Sequence, residues 1–186
     1  MRVLETPRLF LAPITEPMSQ DALETVYRIY VTEMDGGSLT MDALEPEVRF
    51  DVHLAQNTLG QQFGRPAILI KATSRRIGHG VFLPRLCTPA ELYPVGAQAA
   101  PAVCSSIEVE IGWAISDRYR NQGYATEAAQ ALVAYGFADL RLARLVAFTD
   151  KANAASLKVM QKLGMRIGHC RGTDEVIGVI EKGVSR

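Results

Sequence analysis

The chain has 186 residues, of which 48% are hydrophobic and 22% charged, a composition typical of a soluble globular domain. Its twenty basic and twenty acidic side chains balance, so the overall charge excludes a general attraction to nucleic acid or to a membrane surface. The sequence therefore predicts a single domain over residues 1–186, with neither nucleic acid nor membrane as a partner.

The compartment can be predicted from the first residues and the cysteines. The start lacks the apolar core of a signal peptide, and no apolar run is long enough to span a membrane. Cys87, Cys104 and Cys170 are an odd number without paired spacing, as expected for reduced thiols rather than a disulfide framework or a zinc site. We expect a cytoplasmic protein without a metal.

The first part of the chain is predicted to contain a strand and two helices. Residues 9–14 form a short strand closed by prolines, and residues 21–30 follow as an amphipathic helix. After a loop at residues 34–43, Pro46 suits the first turn of a second helix that ends near residue 57.

A hairpin and a long loop come next. Residues 67–71 and 77–83 are predicted strands joined by a polar turn. Residues 84–106 contain four prolines and little periodicity, and loops of this length are uncommon without a function. We expect an inserted loop here, acting as a lid, as a dimer contact or as a mobile insertion.

The most informative stretch is a strand that leads into a helix. Residues 107–115 alternate and are rich in β-branched and aromatic side chains, which predicts a strand, and apolar residues at helical spacing begin at Ala125. The polar turn between them contains Gly123, which lets a ligand approach the backbone closely. Unpaired N–H groups and the helix dipole favour a phosphate at such a turn. No Lys-Ser or Lys-Thr follows a glycine loop, and Leu83 replaces the third glycine after Gly78-His79-Gly80, so neither nucleotide-binding pattern fits.

A second strand and helix follow at residues 145–149 and 153–165, and Gly164 ends the helix. Residues 166–171 and 175–180 are the last two predicted strands, with a turn at residues 172–174.

Two motifs in these strand–helix segments, together with the opening residues of the chain, resemble sequences of the GNAT superfamily of N-acetyltransferases. Arg120-x-x-Gly123-x-Ala125 resembles its acyl-CoA-binding signature, Gln/Arg-x-x-Gly-x-Gly/Ala. The opening residues 5–11 resemble the start of the branch that acetylates ribosomal-protein N-termini. The superfamily's later Asn-x-x-Ser-x-x-x-x-x-Lys-x-Gly-Phe is matched, with Met165 for the aromatic residue, at Asn153, Ser156, Lys162 and Gly164.

The resemblance implies a fold and a cofactor. The fold is α/β (α+β), a mixed, mostly antiparallel central sheet with a splayed strand pair and helices on both faces. The cofactor is acetyl-CoA (coenzyme A), and homodimers are frequent in the branch. The positions implied to hold the cofactor are Trp113, Ala114, Ile115, Arg120, Asn121, Gln122, Gly123, Tyr124, Ala125, Thr126, Asn153, Ser156 and Lys162.

For proton transfer, the resemblance implies a carboxylate on the strand before the loop. Glu108 and Glu110 share one face of that strand. A carboxylate half-buried beside apolar neighbours is expected to have a raised pKa, which suits a general base. Glu110 is the candidate base, and the alternative is that one of the two only pairs with a cation across the sheet.

The candidate acid departs from a common pattern of the superfamily. Many relatives have a tyrosine shortly after the later helix, but the last tyrosine here is Tyr135. The resemblance implies Ser156 as the group that protonates the thiolate, as in the ribosomal-protein branch. Asn153 and Ser156 are also ordinary capping residues of a first helical turn.

Together these inferences predict an acetyl-CoA-dependent N-acetyltransferase. We expect direct attack of a primary amine on the thioester, because no cysteine or serine has a base-paired nucleophile setting. The acceptor is a protein N-terminal α-amine or a small amine. Acidic residues are in excess between positions 33 and 53, the region that covers the acceptor in the superfamily. That excess suits a cationic amine, and a solvated helical face gives the same pattern. The alternative function is a non-catalytic acyl-CoA-binding regulatory domain on the same scaffold.

Overall fold

The computed structural model describes residues 1–13, 62–92, 105–170 and 173–183. Its strands are β1 (Leu4–Glu5), β2 (Leu9–Ala12), β3 (Ala67–Ile70), β4 (Arg75–Cys87), β5 (Ser106–Ile115), β6 (Arg144–Asp150), β7 (Arg166–His169) and β8 (Glu175–Glu181). Its helices are α1 (Pro89–Leu92), α2 (Tyr124–Ala134) and α3 (Ala154–Lys162), with a 3-10 turn at Asp117–Tyr119 and a π-helical turn at Tyr135–Asp139. The helices predicted at residues 21–30 and 46–57, and the loop between them, lie outside the described residues.

The described strands form an eight-stranded mixed sheet in the order β1-β2-β3-β4-β5-β6-β8-β7. Most neighbours run antiparallel, whereas β5 and β6 run parallel. The chain between β5 and β6 returns through α2, since parallel neighbours require a crossover connection. Their register pair is Glu110 with Val146. Among the described residues β5 and β6 share this one register pair, as in a splayed strand pair. The predicted mixed, mostly antiparallel α+β fold is confirmed.

The chain divides into two compact units. The first comprises Met1–Phe82 and Trp113–Ala128, and the second comprises Leu83–Gly112 and Ala129–Arg186. The division runs through β4, β5 and α2. The single-domain organisation inferred from length stays a prediction. None of the helices in the described residues combines the length and the apolar character that crossing a bilayer requires.

In the first unit, β2 and β3 supply the buried face of an antiparallel ladder. Leu9 and Leu11 are fully buried while Phe10 between them is not, because successive side chains of a strand point to opposite faces. Ile68 of β3 pairs with Leu11 and is also fully buried. Gly78 of β4 has a different role. A Cβ there would lie 2.0 Å from the carbonyl oxygen of Ala114, so only glycine allows this approach of β4 to the end of β5.

In the second unit, β8 lies between β6 and β7 and carries much of the core. Val146 of β6 pairs with Val179 of β8, and both are buried. Between Ile177 and Val179, Gly178 leaves room for two methionines. A Cβ there would lie 3.0 Å from the sulfur atoms of both Met160 and Met165.

The strands predicted around the hairpin are confirmed, but the boundaries of the following loop are corrected. Strand β4 extends four residues beyond the predicted end at 83, and α1 follows it. The predicted loop over 84–106 therefore begins later, and residue 106 already belongs to β5. Pro84 is tolerated in β4 for a specific reason. Phe82 donates its N–H to Gly64, and residue 84 directs its nitrogen to the same edge, where among the described residues no further pairing follows.

Candidate active site

The predicted cofactor loop leaves β5 at Ile115 and enters α2 at Tyr124. Ser116 N–H donates to the Ile77 carbonyl at 2.8 Å, which fixes the start of the loop on β4. Asn121 and Gly123 then adopt φ values of +61° and +82°. Two left-handed residues so close together reverse the chain, and glycine and asparagine are the residues that adopt this conformation most readily. The turn predicted between the strand and the helix is therefore present, and Gly123 occupies a position that favours glycine.

The first turn of α2 presents backbone donors. Glu127 N–H closes the turn on the Gly123 carbonyl at 3.1 Å. The preceding N–H groups, those of Tyr124, Ala125 and Thr126, have no acceptor within the described part of the chain, as expected at the start of a helix. Gly123 is exposed and Ala125 and Thr126 are half-buried. Donors of this kind at the positive end of a helix dipole suit an anion such as a phosphate.

Arg120 is held against the loop itself. Its Nε donates to the Ile115 carbonyl at 3.2 Å, and its Nη1 lies 2.5 Å from the Asp117 carboxylate. Asp117 therefore offsets part of the charge that Arg120 contributes at this edge. Trp113, Ala114 and Ile115, the positions predicted to lie along the cofactor arm, belong to β5. Ala114 and Ile115 are buried and Trp113 is half-buried.

A carboxylate in the first turn of α2 was not among the predicted site residues. Glu127 accepts hydrogen bonds from Thr6 Oγ1 at 2.6 Å, from Arg8 N–H at 2.8 Å and from Arg8 Nε at 2.6 Å. Burial acts to raise the pKa of Glu127, but the hydrogen bonds from Thr6 and Arg8 and the charge of Arg8 outweigh it, so that the pKa lies below its ordinary value. The sequence contained both parts of this contact, an acidic residue in a first helical turn and the opening segment 5–11, but nothing in it connected the two.

The two carboxylates of β5 have different surroundings in the second unit. Glu108 is 7% exposed and forms a two-pronged ion pair with Arg144, whose Nε lies 3.0 Å from Oε2 and whose Nη2 contacts Oε1. Ser106 Oγ donates to the same carboxylate at 2.7 Å. The alternative considered from sequence, a carboxylate paired with a cation across the sheet, therefore describes Glu108.

Glu110 is more open and its pairing is looser. Its side chain is 25% exposed, and its Oε2 lies 3.4 Å from Arg85 Nη1. Arg85 also lies 3.4 Å from Glu91 and 3.5 Å from Glu175, with its guanidinium carbon 3.6 Å from the centre of the Phe148 ring. Burial acts to lower the pKa of Arg85, but Glu110 and Glu175 outweigh it, so that the pKa is raised. The apolar setting expected for Glu110 is thus modified by a shared arginine.

The residues predicted on the later helix lie in the first and last turns of α3. Asn153 is the N-cap, and its Oδ1 accepts from Ser156 N–H at 3.0 Å. This contact supports the capping interpretation of Asn153. Ser156 is half-buried, and Lys162 is exposed in the last turn. Gly164 has φ +75° and ends the helix as predicted.

Other ionisable groups of the described residues have settings that suit structural roles. Burial, reinforced by Arg76 and Arg65, lowers the pKa of His79 to about 3, so this histidine is neutral near neutral pH. Burial raises the pKa of the Cys87 thiol to about 12 and also raises the pKa of Cys170. Both thiols are free and buried in the core of the second unit. Within the described ranges, no group of three or more potential ligands could hold a metal ion.

Comparisons with known proteins agree with this fold. The family model of the GNAT acetyltransferase domain matches residues 8–166. The chain therefore belongs to the GNAT acetyltransferase family. It is 49% identical over 57 residues to the N-acetyltransferase YnaD of Bacillus subtilis (strain 168), itself uncharacterized, covering 31% of this chain and 34% of that protein. It is 35% identical over 74 residues to the FsC-acetyl coenzyme A-N(2)-transacetylase of Aspergillus fumigatus, covering 40% of this chain and 32% of that protein. The match thus spans about a third of the length of these curated relatives.

Solved structures are similar over nearly the whole chain. An acetyltransferase from Agrobacterium tumefaciens str. C58 has a TM-score of 0.72 at 21% identity, covering 98% of this chain and 95% of that one. The ribosomal-protein-S5-alanine acetyltransferase from Vibrio fischeri has a TM-score of 0.64 at 13% identity, covering 99% and 98%. At these identities the likeness supports the fold.

Proposed function

We propose that this protein transfers the acetyl group of acetyl-CoA to a primary amine. The observation that carries the proposal is the loop from Arg120 to Thr126, which has the signature spacing, the left-handed Gly123 and the unused N–H groups of a first helical turn. The family match over residues 8–166 supports acetyl-CoA as the ligand of this loop. The loop would hold the diphosphate through these donors, and the backbone from Trp113 to Ile115 would pair with the pantetheine arm.

In the proposed reaction the amine nitrogen attacks the thioester carbonyl, a C–N bond forms and the C–S bond breaks. The amine loses a proton, and the departing thiolate gains one. We assign proton removal to Glu110, whose carboxylate is partly exposed and lies 3.4 Å from Arg85. We assign protonation of the thiolate to Ser156, whose hydroxyl is free of the capping contact made by its N–H. Asn153 and Lys162 complete the proposed cofactor-binding set.

The proposed acceptor is a protein N-terminal α-amine or a small amine. The name of the Aspergillus relative, an N(2)-transacetylase, supports an amine acceptor in general terms. A cytoplasmic setting, where thiols stay reduced, fits the two free cysteines. The homodimer implied by resemblance remains a prediction.

The test is calorimetric titration of the protein with acetyl-CoA, desulfo-CoA and ATP. We expect acetyl-CoA and desulfo-CoA to bind and ATP to bind much more weakly. A screen of N-terminal peptides and small amines, with release of the CoA thiol as the readout, would follow. Selective binding without thiol release for any amine would favour the regulatory alternative, and absence of binding would refute the assignment of the loop.

Gly123→Ala supplies a matched variant. Its φ of +82° disfavours a side chain by about 1–2 kcal/mol, and we expect an added Cβ to obstruct the close approach of a phosphate to the loop backbone. We expect its affinity for acetyl-CoA to fall by about tenfold or more. Gly183→Ala is the control, because Gly183 has φ +84° and nothing within 4 Å of an added Cβ. It should lose similar stability but bind normally.

A further inference from the structure

Residues near the start of the chain contact the proposed cofactor loop and the first turn of the helix that follows it. Thr6 and Arg8 precede β2, and they contact residues more than a hundred positions later, in the loop and the first turn of α2. We name Thr6, Arg8 and Glu127 the N-terminal clamp. All three belong to the first unit, as does the loop.

One half of the clamp fixes the start of α2. The Glu127 carboxylate accepts three hydrogen bonds, two on Oε1 from Thr6 Oγ1 and Arg8 N–H, and one on Oε2 from Arg8 Nε. Their lengths lie between 2.6 and 2.8 Å, and the Glu127 side chain is 14% exposed. Hydrogen bonds to an ionised group are short and about twice as strong as neutral ones. The first helical turn is thereby tied to the backbone of residue 8.

The other half of the clamp fixes the loop backbone. Arg8 Nη1 donates to the Gln122 carbonyl at 3.0 Å, and its guanidinium carbon lies 4.4 Å from the centre of the Tyr124 ring. Its Nη2 would be 3.4 Å from a Cβ at Gly123. One guanidinium therefore contacts Gln122 and Tyr124, the two residues that flank the left-handed Gly123.

The opposite charges of Glu127 and Arg8 also affect how an anionic ligand would bind at the loop. Glu127 places a negative charge in the same helical turn whose N–H groups would bind a diphosphate, which by charge alone disfavours the ligand. The positive charge of Arg8 offsets this negative charge, and the ion pair with Glu127 holds the Arg8 side chain in place. Glu127 favours ligand binding overall if its contribution to orienting the loop is larger than its repulsion of the diphosphate.

We propose that Thr6, Arg8 and Glu127 are positioning residues that hold the loop in its ligand-binding conformation, an inference that rests on the proposed function. Arg8 and Glu127 act through the backbone of residues 122–124, and neither is a catalytic residue. The ligand class they serve is the diphosphate of a coenzyme A thioester.

Glu127→Gln tests the proposal, because positioning and simple charge predict opposite results. The variant removes a negative charge, so charge alone predicts tighter binding of acetyl-CoA. Loss of the ion pair with Arg8 loosens the loop, so we expect calorimetric affinity to fall about five- to tenfold, equivalent to roughly 1–1.4 kcal/mol. In turnover, KM for acetyl-CoA should rise by a similar factor while kcat at saturation is nearly unchanged.

Glu5→Gln is the matched control. It removes another ion pair of the same opening segment, Glu5 with Lys71 at 2.5 Å, which does not touch the loop. Its affinity and KM should equal those of the wild type. Arg8→Lys is the second variant, in case Glu127→Gln folds poorly. It keeps the positive charge and the backbone N–H. It loses the planar guanidinium that donates to the Glu127 carboxylate and to the Gln122 carbonyl at the same time. The KM for acetyl-CoA should therefore also rise.

Equal or tighter binding by Glu127→Gln, or by Arg8→Lys where the first variant does not fold, would overturn the positioning role while leaving the proposed function intact. Failure of the wild type to bind acetyl-CoA would instead refute the proposed function, and the clamp's role with it. The two failures are therefore distinguished by the wild-type titration alone.

Discussion

Two carboxylates on one face of β5 differ in how firmly each is held by an arginine. Glu108 is buried in a two-pronged pair with Arg144, and breaking a pair of this kind would leave an uncompensated buried charge. Glu110 shares Arg85 with two other carboxylates at 3.4–3.5 Å. A shared and partly exposed arginine can exchange partners more readily. This difference supports the proposed assignment of proton removal to Glu110 rather than Glu108.

The charge on Arg85 should control the pH dependence of the proposed reaction. Arg85→Gln removes a cation that stabilises the ionised form of Glu110. We expect the acid limb of the kcat/KM profile to move to higher pH, because a base must be ionised to accept a proton. The measurement is kcat/KM for acetyl transfer across the acidic and neutral range, with the wild type alongside.

Arg166→Gln is the appropriate comparison for this prediction. It removes one positive charge from the same unit, where Arg166 Nη2 lies 3.0 Å from Glu181, but it leaves the group around Arg85 untouched. Its acid limb should coincide with that of the wild type. An Arg85→Gln profile with an unmoved acid limb would argue against Glu110 as the base.

Among the secondary-structure elements, α3 shows a capping residue and a proposed catalytic residue within one turn. Asn153 accepts the N–H of Ser156, and this bond satisfies one of the donors that a helix start leaves open. The backbone of Ser156 is thus used for structure while its hydroxyl stays available. The cap and the proposed acid can therefore be separated by mutation.

Asn153→Ala should destabilise the protein by about 1 kcal/mol, the usual cost of losing an N-cap side chain. Urea unfolding followed by circular dichroism would measure the change. Asn153→Asp should retain most of the stability, since a carboxylate also accepts the Ser156 N–H and suits the helix dipole. If Asn153→Ala were as stable as the wild type, the cap would be energetically unimportant.

Elements were predictable where their signal is local. The apolar spacing of α3 and the glycine that ends it gave nearly the observed bounds. The alternation in β5 did so as well. The end of β4 was misplaced because Pro84 and the polar residues after it extend a strand only where neighbouring strands permit it, which a single sequence does not display. The loop was predictable as a motif, but its attachment to the opening segment was not. Arg8 and Glu127 are 119 positions apart, and only the fold brings them together.

For the molecule as a whole, acid stability is influenced by one buried histidine. His79 is 2% exposed, and burial together with two nearby arginines lowers its pKa to about 3. The unfolded chain takes up this proton near pH 6.5. Between those values the unfolded state holds more protons than the folded state, so stability falls as the pH is lowered. The slope for one such proton approaches about 1.4 kcal/mol per pH unit.

We expect His79→Gln to flatten the decline of the free energy of unfolding with falling pH in that window. Denaturant unfolding at a series of pH values would measure the slopes. His169→Gln is the control, because His169 is exposed on β7, and it should keep the wild-type slope. Glu127 acts in the same direction at lower pH, since its pKa lies below the ordinary value for glutamate. An unchanged slope in His79→Gln would show that other groups govern the acid limit.

The burial of Cys87 and Cys170 has a practical consequence for enzymology. A disulfide reagent that detects newly released CoA reacts with thiolates. Burial raises the pKa of Cys87 to about 12 and also raises the pKa of Cys170, so burial disfavours the reactive thiolate form of both side chains while the protein is folded. Cys104 lies outside the described residues. On unfolding, Cys87 and Cys170 become accessible, so an increase in the number of reagent-reactive thiols of the protein alone would report loss of the folded state.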